Sequence, residues 1–570
     1  MTTVLDITLP RTLDALVARL SDGSHRGHRV EAWLFDNAAA RRVAEARLAA
    51  VGVQARIRSA YKPLVHHFLE EASAAGPVSI ALPNHPAAAA KRFRLEAYPL
   101  AGMLAGPLSF VAGDAPLTYV VTAGGVETPV FAPNELRPDH LGTPNLTPCG
   151  WLRITDTAGA VLEDGPLETE YEALFRTVMQ TLAAHTWPAS APFFEVLEIT
   201  ASIPGIEQSL PYGDEVISTA EALHEDFYFA INELFKQRAG LAAGDRTLQP
   251  GQIVPDIMIA DGPARLTMAL HRHTADRPVL RGPATLEDAD RPLTPAQIAA
   301  RTDALGGSRH DIASVQGRPL LARIYDGEGP ALLLSAGQHA NETSGPVGAL
   351  RAAEMLRATG QRFALIPCEN PDGYALHHQL RARNARHMHH AARYSALGDD
   401  VEARTKPPLH EKAARLALIE ATGARLHLNL HGYPAHEWTR PLSGYLPAGF
   451  DLWTIPKGFF LIFRHHPGLA HTALPFLEAL TARLAEDRAL AAFNATQLAT
   501  WGAHAGEVPF PVINGIPCQI TETERQTTPY QIITEYPDET IYGDAFRLAH
   551  TTQMRTVLHS VQLLRAGLLG

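Results

Sequence analysis

The sequence predicts an α/β protein of several domains, whose C-terminal half is built on a mixed, largely parallel sheet covered by helices. The chain has 570 residues, more than a single hydrophobic core normally serves. Its hydrophobic fraction of 46% and charged fraction of 19% are those of a folded globular protein. Beyond about residue 300, strand-like and helix-like segments alternate with short connections, which is typical of a parallel sheet with helices on its faces.

Two stretches without regular apolar periodicity suggest domain boundaries. One is AHTWPASAPFF at 184–194, and the other runs from about His273 to Pro295 and is dense in Asp, Arg and Pro. They divide the chain into an N-terminal domain of unknown role at 1–185, a middle α+β region at 190–295 and a third domain at 300–570. The N-terminal domain alternates helical and strand-like patterns, which indicates α/β or α+β structure. No motif with a chemical role occurs in it.

The middle region contains a long amphipathic pattern, STAEALHEDFYFAINELFKQRAG, that predicts a helix with Ser218 as its N-cap. Within it, His224, Glu225 and Asp226 are consecutive. Metal ligation is one reading of such a cluster. Adjacent charged residues on a helix more often form a solvated face, and this is the reading we expect here.

In the third domain, apolar segments with strand character alternate with amphipathic ones. The strand-like segments are ALLLSAGQ, RFALIPCE, RLHLNLHG and PCQITETE, and the helix-like segments are SGPVGALRAAEMLRATG, LHEKAARLALIEATG, ALPFLEALTARLAEDRALAAFNATQLAT and YGDAFRLAHTTQMRTVLHSVQLLRAG. In open α/β sheets, ligands bind outside the carboxyl ends of the strands. Polar residues at those ends are therefore the candidates for chemistry.

Composition excludes several classes of function. The net charge is -11 and no basic run with interleaved aromatic residues occurs, so nucleic acid is not an expected partner. No signal-peptide pattern and no stretch of about 18 apolar residues is found, so we expect a cytoplasmic protein that does not span a membrane. The 3 cysteines are far apart and odd in number, which favours neither a disulfide framework nor a cysteine zinc site. A zinc site would use imidazole and carboxylate ligands.

A candidate metal site begins with the pair His339 and Glu342 in GQHANETSG, placed after an apolar strand and before a helix. The pattern H-x-x-E is not specific by itself, because HFLE and HAGE elsewhere in the chain also match it. His431 gives it context, since this residue ends the strand-like LHLNLH. Two histidines and one carboxylate at the rim of one sheet form the ligand set of a catalytic zinc with an open position. His427 remains an alternative third ligand.

Residues around these ligands have candidate roles as well. His427 and Asn429 alternate onto the same face of the strand as His431, where either can support a metal ligand by a hydrogen bond. A general base near such a metal is expected to be a carboxylate. In PCQITETE, Glu522 and Glu524 share one strand face, and the pattern leaves both open.

Four segments of the C-terminal half resemble the zinc carboxypeptidases, a family related to the succinylglutamate desuccinylase and aspartoacylase branch. They are QGRPLLARIYDGEGPALLLSAGQHANETSG, IPCENPDGYALHHQLRARN, LHLNLHGY and IPCQITETE. The resemblance implies that His339, Glu342 and His431 bind zinc. It also implies that Glu522, which is followed by Thr as in many family members, is the general base. For the substrate's terminal carboxylate it points to Asn384 and Arg386.

The function that this resemblance implies is hydrolysis of an amide bond, with release of a C-terminal residue from a peptide. A first alternative keeps the chemistry but makes the substrate a small N-acyl amino acid, as in the desuccinylase branch. A second alternative is a binding protein that retains the fold without catalysis. The resemblance does not extend to the first 300 residues, and the sequence predicts no oligomeric state.

Overall fold

A computed structural model describes residues 1–73, 75–88, 91–139, 142–242, 245–273, 285–437, 439–444 and 457–569. Part of the second predicted boundary, residues 274–284, therefore lies outside the described residues. The fold belongs to the mixed α/β class, as predicted. Among the helices of the described chain, none combines the length and the apolar character that crossing a bilayer requires.

The first 190 residues form several small sheets with helices packed on them. The strands are β1 (Thr2–Leu9), β2 (Arg29–Leu34), β3 (Gln54–Ser59), β4 (Val78–Leu82), β5 (Leu108–Ala112), β6 (Thr118–Ala123), β7 (Val126–Phe131), β8 (Asn134–Pro138), β9 (Pro144–Pro148), β10 (Trp151–Thr155) and β11 (Val161–Pro166). The helices are α1 (Thr12–Leu20), α2 (Ala38–Ala50), α3 (Pro63–Glu70), α4 (Arg92–Glu96), α5 (Leu100–Met103) and α6 (Glu170–Ala184). The sheet orders are β11-β10-β2-β3, β5-β4-β6-β7 and β8-β9.

The middle region adds a four-stranded sheet and one long helix. Its elements are β12 (Val196–Ile203), β13 (Glu207–Ser209), β14 (Val216–Ser218), α7 (Thr219–Arg238), β15 (Gln252–Ile259) and β16 (Ala264–His271). The strand order of the larger sheet is β1-β16-β12-β15. Because β1 comes from the start of the chain, this sheet crosses the boundary predicted near residue 185.

The cluster of consecutive charged residues in helix α7 is buried, although a solvated face was expected. His224, Glu225 and Asp226 are all buried, so that expectation was wrong. His390 Nδ1 lies 2.7 Å from Glu225 Oε1, and Asp226 accepts the backbone N–H groups of Leu442 and Ser443 at 2.9 and 2.8 Å. The partners of α7 thus come from residues about 165 to 220 positions later in the chain.

The third domain is built on a nine-stranded sheet in the order β17-β20-β22-β21-β23-β27-β24-β26-β25. Its strands are β17 (Ser308–Arg309), β18 (Ile312–Ala313), β19 (Pro319–Leu320), β20 (Arg323–Tyr325), β21 (Glu328–Ala336), β22 (Gln361–Ile366), β23 (Leu426–Pro434), β24 (Phe460–His465), β25 (Val512–Ile513), β26 (Ile516–Glu522) and β27 (Tyr530–Glu539), of which β18 and β19 form a separate pair. Its helices are α8 (Pro295–Leu305), α9 (Ser344–Ala358), α10 (Pro371–Arg381), α11 (His390–Arg393), α12 (Glu411–Thr422), α13 (Ala470–Leu484), α14 (Arg488–Ala505) and α15 (Asp544–Arg565), with 3-10 turns at Val401–Ala403 and Pro441–Ser443.

The centre of this sheet is parallel, and its far side is mixed. Strands β22, β21, β23 and β27 all run in one direction, whereas β24 is antiparallel to β27 and β26 is parallel to β24. The last helix is preceded by β27, a strand that the sequence analysis did not recognise. Its position between β23 and β24 determines which residues reach the carboxyl edge of the parallel strands.

Alternation along the central strands divides the side chains between two faces. Leu332 and Leu334 of β21 join the apolar cluster that also contains residues of α9 and α15. Leu333 packs instead with Leu418 of α12 on the opposite face. On that face, β23 contributes the polar side chains of His427, Asn429 and His431, so a buried polar row leads along the strand to its carboxyl end.

The first region contacts the third domain just after β23. Lys62 forms a buried ion pair with Glu437, and Tyr61 shares a hydrogen bond with Thr439. Glu437 is further held by its backbone N–H, which donates to Glu215 at 2.8 Å. The segment that follows β23 is therefore fixed by residues of both preceding regions.

Candidate metal centre

The three predicted ligands converge at the carboxyl ends of β21 and β23. His339 and Glu342 lie in the turn between β21 and α9, and His431 lies on β23. One ligand atom from each residue can be chosen so that all lie within 4.8 Å of one another, and all three residues are buried. Glu342 bridges the two histidines, with its Oε1 2.8 Å from His339 Nδ1 and its Oε2 2.9 Å from His431 Nδ1.

These distances fit a divalent metal ion. The two Nδ1 atoms are 3.1 Å apart, and a tetrahedral zinc with bonds of about 2.0–2.1 Å separates its ligand atoms by about 3.3 Å. Two imidazoles and one carboxylate suit zinc, although other divalent metals accept the same set. A metal held by these three residues would keep one position open for water or substrate. His427, the alternative ligand, is instead engaged further along β23, where its Nε2 lies 2.7 Å from Ser335 Oγ.

The protonation states also suit metal binding. Burial raises the pKa of Glu342, but the nearby charges of His339, Arg393 and His431 outweigh it and hold the pKa well below its usual range. Burial lowers the pKa of His431, which favours the neutral imidazole that a metal needs. Burial and Arg393 act against protonation of His339, yet the carboxylates of Glu342 and Asp400 raise its pKa overall. A metal therefore competes with a proton at His339.

Close backbone packing brings the ligand-bearing elements together. The N–H of Gly432 donates to Glu342 Oε2 at 3.0 Å. A Cβ at residue 432 would lie 2.0 Å from Asp538 Oδ1, so a side chain there would displace this carboxylate. Asp538 in turn accepts the N–H of Ser344 at 2.8 Å, at the start of α9. Strands β23 and β27 are thus locked to the turn that carries His339 and Glu342.

A chain of hydrogen bonds between buried side chains leads from β27 across β23 and β21 to Gln338, next to His339. Gln531 Nε2 donates to His427 Nδ1 at 3.0 Å, which leaves the N–H on His427 Nε2 to donate to Ser335. Ser335 donates to Asn429 at 2.9 Å, and Asn429 Nδ2 donates to Gln338 Oε1 at 3.1 Å. In each of these four hydrogen bonds the donor lies on the side of Gln531 and the acceptor on the side of Gln338. Burial lowers the pKa of His427 well below its usual value, so the neutral form that this pattern needs is the stable one.

Asp400 connects this chain to the metal ligands. Gln338 Nε2 lies 3.4 Å from Asp400 Oδ1, and Asp400 Oδ2 lies 3.5 Å from His339 Nε2. A carboxylate at Nε2 favours the tautomer with the proton on Nε2 and the lone pair on Nδ1. Because Nδ1 is the atom that faces Glu342 and His431, Asp400 orients His339 for ligation.

Arg393 places a cation directly beside the cluster. Its Nη1 donates to Glu342 Oε1 at 2.5 Å and lies 3.9 Å from Glu539 Oε1. Glu539 is buried, and burial raises its pKa well above the usual value, with Arg393 opposing this. Arg393 was not predicted, although it lies in the same arginine-rich stretch as Asn384 and Arg386.

The structure does not bring Glu522 to this cluster. Glu522 ends β26 and pairs with His465, which is level with Tyr530 at the start of β27, whereas His431 is level with Glu535. The two levels are five residues apart, or about 16 Å at roughly 3.3 Å per residue. Because β26 runs antiparallel to β27, its carboxyl end lies at the opposite edge of the sheet. Both Glu522 and Glu524 are exposed there.

Glu535 is a carboxylate that does lie beside this cluster. It pairs directly with His431 and is half-buried, so its carboxylate is close to the cluster and still reached by solvent. Burial and the charge of Glu342 raise its pKa well above the usual value, and Arg393 acts against them. The sequence contains the same pattern twice, since Ile-Thr-Glu occurs at 520–522 and again at 533–535.

Asn384 and Arg386, which were predicted to bind the substrate's carboxylate, interact with other parts of the protein. Asn384 Nδ2 donates to the backbone carbonyl of Ile257 in β15 at 2.9 Å. Arg386 is exposed. Burial raises the pKa of Asp214, and the positive charge of Arg386 acts to lower it. For the described residues, neither side chain has a recorded contact with His339, Glu342 or His431.

Comparisons with known proteins give a limited result. No protein-family model matches the sequence, and no curated protein matches it. A solved structure named as a metallopeptidase, from Shewanella denitrificans, is 16% identical, with 47% of this chain and 88% of that chain covered and a TM-score of 0.31. The metallo-carboxypeptidase from Burkholderia cenocepacia is 12% identical over 53% of this chain and 76% of that chain, with a TM-score of 0.30.

A third solved structure is bovine thrombin-activatable fibrinolysis inhibitor in complex with tick carboxypeptidase inhibitor. It is 11% identical to this chain, the match covers 48% of this chain and 94% of that chain, and the TM-score is 0.28. TM-scores and identities this low do not establish membership of a family.

Proposed function

We propose that this protein is a zinc-dependent hydrolase of amide bonds that releases the C-terminal residue from a peptide. The observation that carries the proposal is the convergence of His339, Glu342 and His431, with Glu535 on the adjacent strand. A ligand set of two histidines and one carboxylate with a carboxylate base beside it is suited to metal-assisted hydrolysis. The sequence resemblance to zinc carboxypeptidases, which covers the segments of His339, Glu342 and His431, supports the same reading.

A zinc ion held by these ligands supplies Lewis-acid polarisation of the scissile carbonyl and acidifies a water molecule. The protein's own contribution starts with Glu535. Its carboxylate takes a proton from the attacking water and returns it to the nitrogen of the leaving amine. A base works best when its pKa is near the working pH, and burial together with Glu342 moves the pKa of Glu535 upward in that direction.

Arg393 adds positive charge where the reaction creates negative charge. Hydrolysis of an amide passes through a tetrahedral species in which the carbonyl oxygen becomes anionic. The guanidinium of Arg393 is fixed by Glu342 and faces the same cluster, so it needs little reorganisation to stabilise that oxygen. It also keeps the carboxylate of Glu342 ionised for metal binding.

A substrate panel tests the proposal. Zinc-loaded protein is incubated with N-blocked dipeptides and, in parallel, with N-acetyl and N-succinyl amino acids, and the released amino groups are quantified. We expect a free C-terminal amino acid from the blocked dipeptides and strongly slowed release in the Glu535→Gln variant. Hydrolysis of the acyl amino acids alone would favour a deacylase. Saturable peptide binding without hydrolysis would leave a binding protein on this fold.

A further inference from the structure

A polar pocket lies on the face of the sheet that α12 covers, toward the amino end of β23 and away from the metal ligands at its carboxyl end. It has a volume of about 250 Å³ and is bounded by α12, by the stretch around Glu402 and by residues 525–527. Its wall includes His427 and Gln531, which form the far end of the hydrogen-bond chain that approaches His339. The pocket is therefore distinct from the metal centre, and nothing in the proposed hydrolysis uses it.

Cations dominate the lining of this pocket. Arg404, Lys412, Arg415 and Arg525 line it together with a single carboxylate, Glu402. Arg404 is paired with Asp399 and Glu411, and Arg415 is paired with Glu369 and Glu402. The charges of these two buried arginines are therefore neutralised by their carboxylate partners. Lys412 and Arg525 are the remaining positive charges at the pocket.

Lys412 and Arg525 are poorly neutralised. Lys412 Nζ donates to the backbone carbonyl of Glu402 at 2.6 Å, but lies 4.0 Å from its carboxylate, which Arg415 already binds. Burial lowers the pKa of Lys412, with Glu402 only partly opposing this. The side chain of Arg525 is exposed and has no ion-pair partner among the described residues. An anion between these two cations would satisfy both.

Gln526 gives an independent indication of a ligand. It is only 6% exposed, and within the described chain neither its Oε1 nor its Nε2 has a hydrogen-bond partner. Its position is fixed, because its backbone carbonyl accepts a hydrogen bond from His466 Nε2 at 3.0 Å. A buried amide left unsatisfied on both atoms is costly, and this one lines the cationic pocket.

We propose that this pocket binds a small oxyanion that still carries a proton, such as hydrogen phosphate. The anionic oxygens accept hydrogen bonds from Lys412, Arg525 and Gln526 Nε2. The remaining O–H donates to Gln526 Oε1, so the amide is satisfied on both atoms. A fully deprotonated tetrahedral anion of the same size, such as sulfate, offers no donor for Oε1 and leaves it unsatisfied.

The test is a calorimetric titration of the metal-loaded protein with inorganic phosphate and with sulfate near neutral pH. We expect saturable binding of one phosphate per chain and binding of sulfate that is weaker by about tenfold or more. Arg525→Ala, at an exposed position, is expected to weaken phosphate binding by about tenfold or more. Arg425→Ala is the matched control, since Arg425 is exposed immediately before β23 but does not line the pocket.

Gln526→Met probes the buried amide, with circular dichroism to verify the fold. We expect it to remove the preference for phosphate over sulfate. If this variant does not fold, Arg525→Ala still decides the matter, because that side chain lies at the surface. Absence of saturable phosphate binding in the wild type would overturn the proposal. Equal phosphate affinity in Arg525→Ala and wild type, as for phosphate held at the metal cluster, would overturn it as well.

Discussion

Glu535 and His431 are paired residues on the adjacent parallel strands β27 and β23. Paired residues of neighbouring strands point to the same face of a sheet, and the strands are about 4.8 Å apart. The carboxylate of Glu535 is thereby set beside a metal ligand by the sheet itself and not by a loop. A base that is rigidly placed in this way needs little rearrangement to reach a water molecule at the cluster.

Replacing Glu535 with Gln should slow hydrolysis strongly without removing the metal. A carboxamide keeps the size of the side chain but cannot accept the proton, and general bases typically contribute about 10²- to 10⁴-fold to the rate. We expect kcat to fall by that factor while zinc content stays unchanged. The measurement is steady-state hydrolysis of a blocked dipeptide, together with elemental analysis of the same preparation.

Glu522→Gln is the matched control, because Glu522 also follows Ile-Thr but lies exposed at the opposite edge of the sheet. Its activity should equal that of the wild type. An inactive Glu522→Gln protein beside an active Glu535→Gln protein would reverse the assignment of the base.

Metal content should depend on both histidine ligands. His339→Ala and His431→Ala each remove one of three protein ligands, and about one zinc per chain in the wild type should fall to near zero in both. His471→Ala serves as the control because His471 is exposed and lies on α13. Retention of stoichiometric zinc in both ligand variants would mean that the ion binds elsewhere.

Asp400→Asn should weaken zinc binding without removing a ligand. Asp400 lies 3.5 Å from His339 Nε2, and loss of a carboxylate that orients a ligating histidine typically costs about 10- to 100-fold in metal affinity. Competition with a chelator of known affinity measures the change. The exposed Asp326 provides the control substitution, Asp326→Asn, for which we expect the affinity of the wild type.

The convergence of the three candidate ligands could be predicted from the sequence because the relevant geometry is local. An apolar strand followed by His339 and Glu342, and a second strand ending in His431, place polar groups at one edge whenever the two strands are parallel. Strands β21 and β23 are indeed adjacent and parallel. The general class of fold followed from the same alternation of strands and helices.

The position of Glu535 beside this cluster could not be predicted, because local sequence patterns do not determine the order of strands in a sheet. Ile-Thr-Glu occurs twice in the chain, and the antiparallel direction of β24 and β26 relative to β27 places Glu522 at the edge opposite the cluster. The burial of α7 was missed for a related reason. Its polar partners, such as His390 and the backbone of Leu442, lie far away in the sequence. The residues near the helix in the sequence therefore do not reveal that it is buried.

Stability should fall as pH rises from about 4 to about 7, in part because of Asp226. Burial raises the pKa of this carboxyl to about 7, against hydrogen bonds from Leu442 and Ser443 that favour the charged form. A carboxyl whose pKa is higher in the folded than in the unfolded state stabilises the fold most below its unfolded pKa, near 4, and this contribution is lost as pH rises to about 7. The contribution at stake is at most about 4 kcal/mol.

Asp226→Asn removes this titration and keeps an oxygen that can accept a backbone hydrogen bond. With zinc at saturation, the decrease in Tm between pH 5 and pH 8, about the range over which Asp226 ionises, should be smaller in the variant than in the wild type. Asp326→Asn, at the surface, should leave the decrease unchanged. Parallel Tm curves for the wild type and Asp226→Asn would show that Asp226 does not change its charge on unfolding in this range. Its carboxylate would then be ionised in the fold, held by the two backbone donors of the turn at Pro441–Ser443.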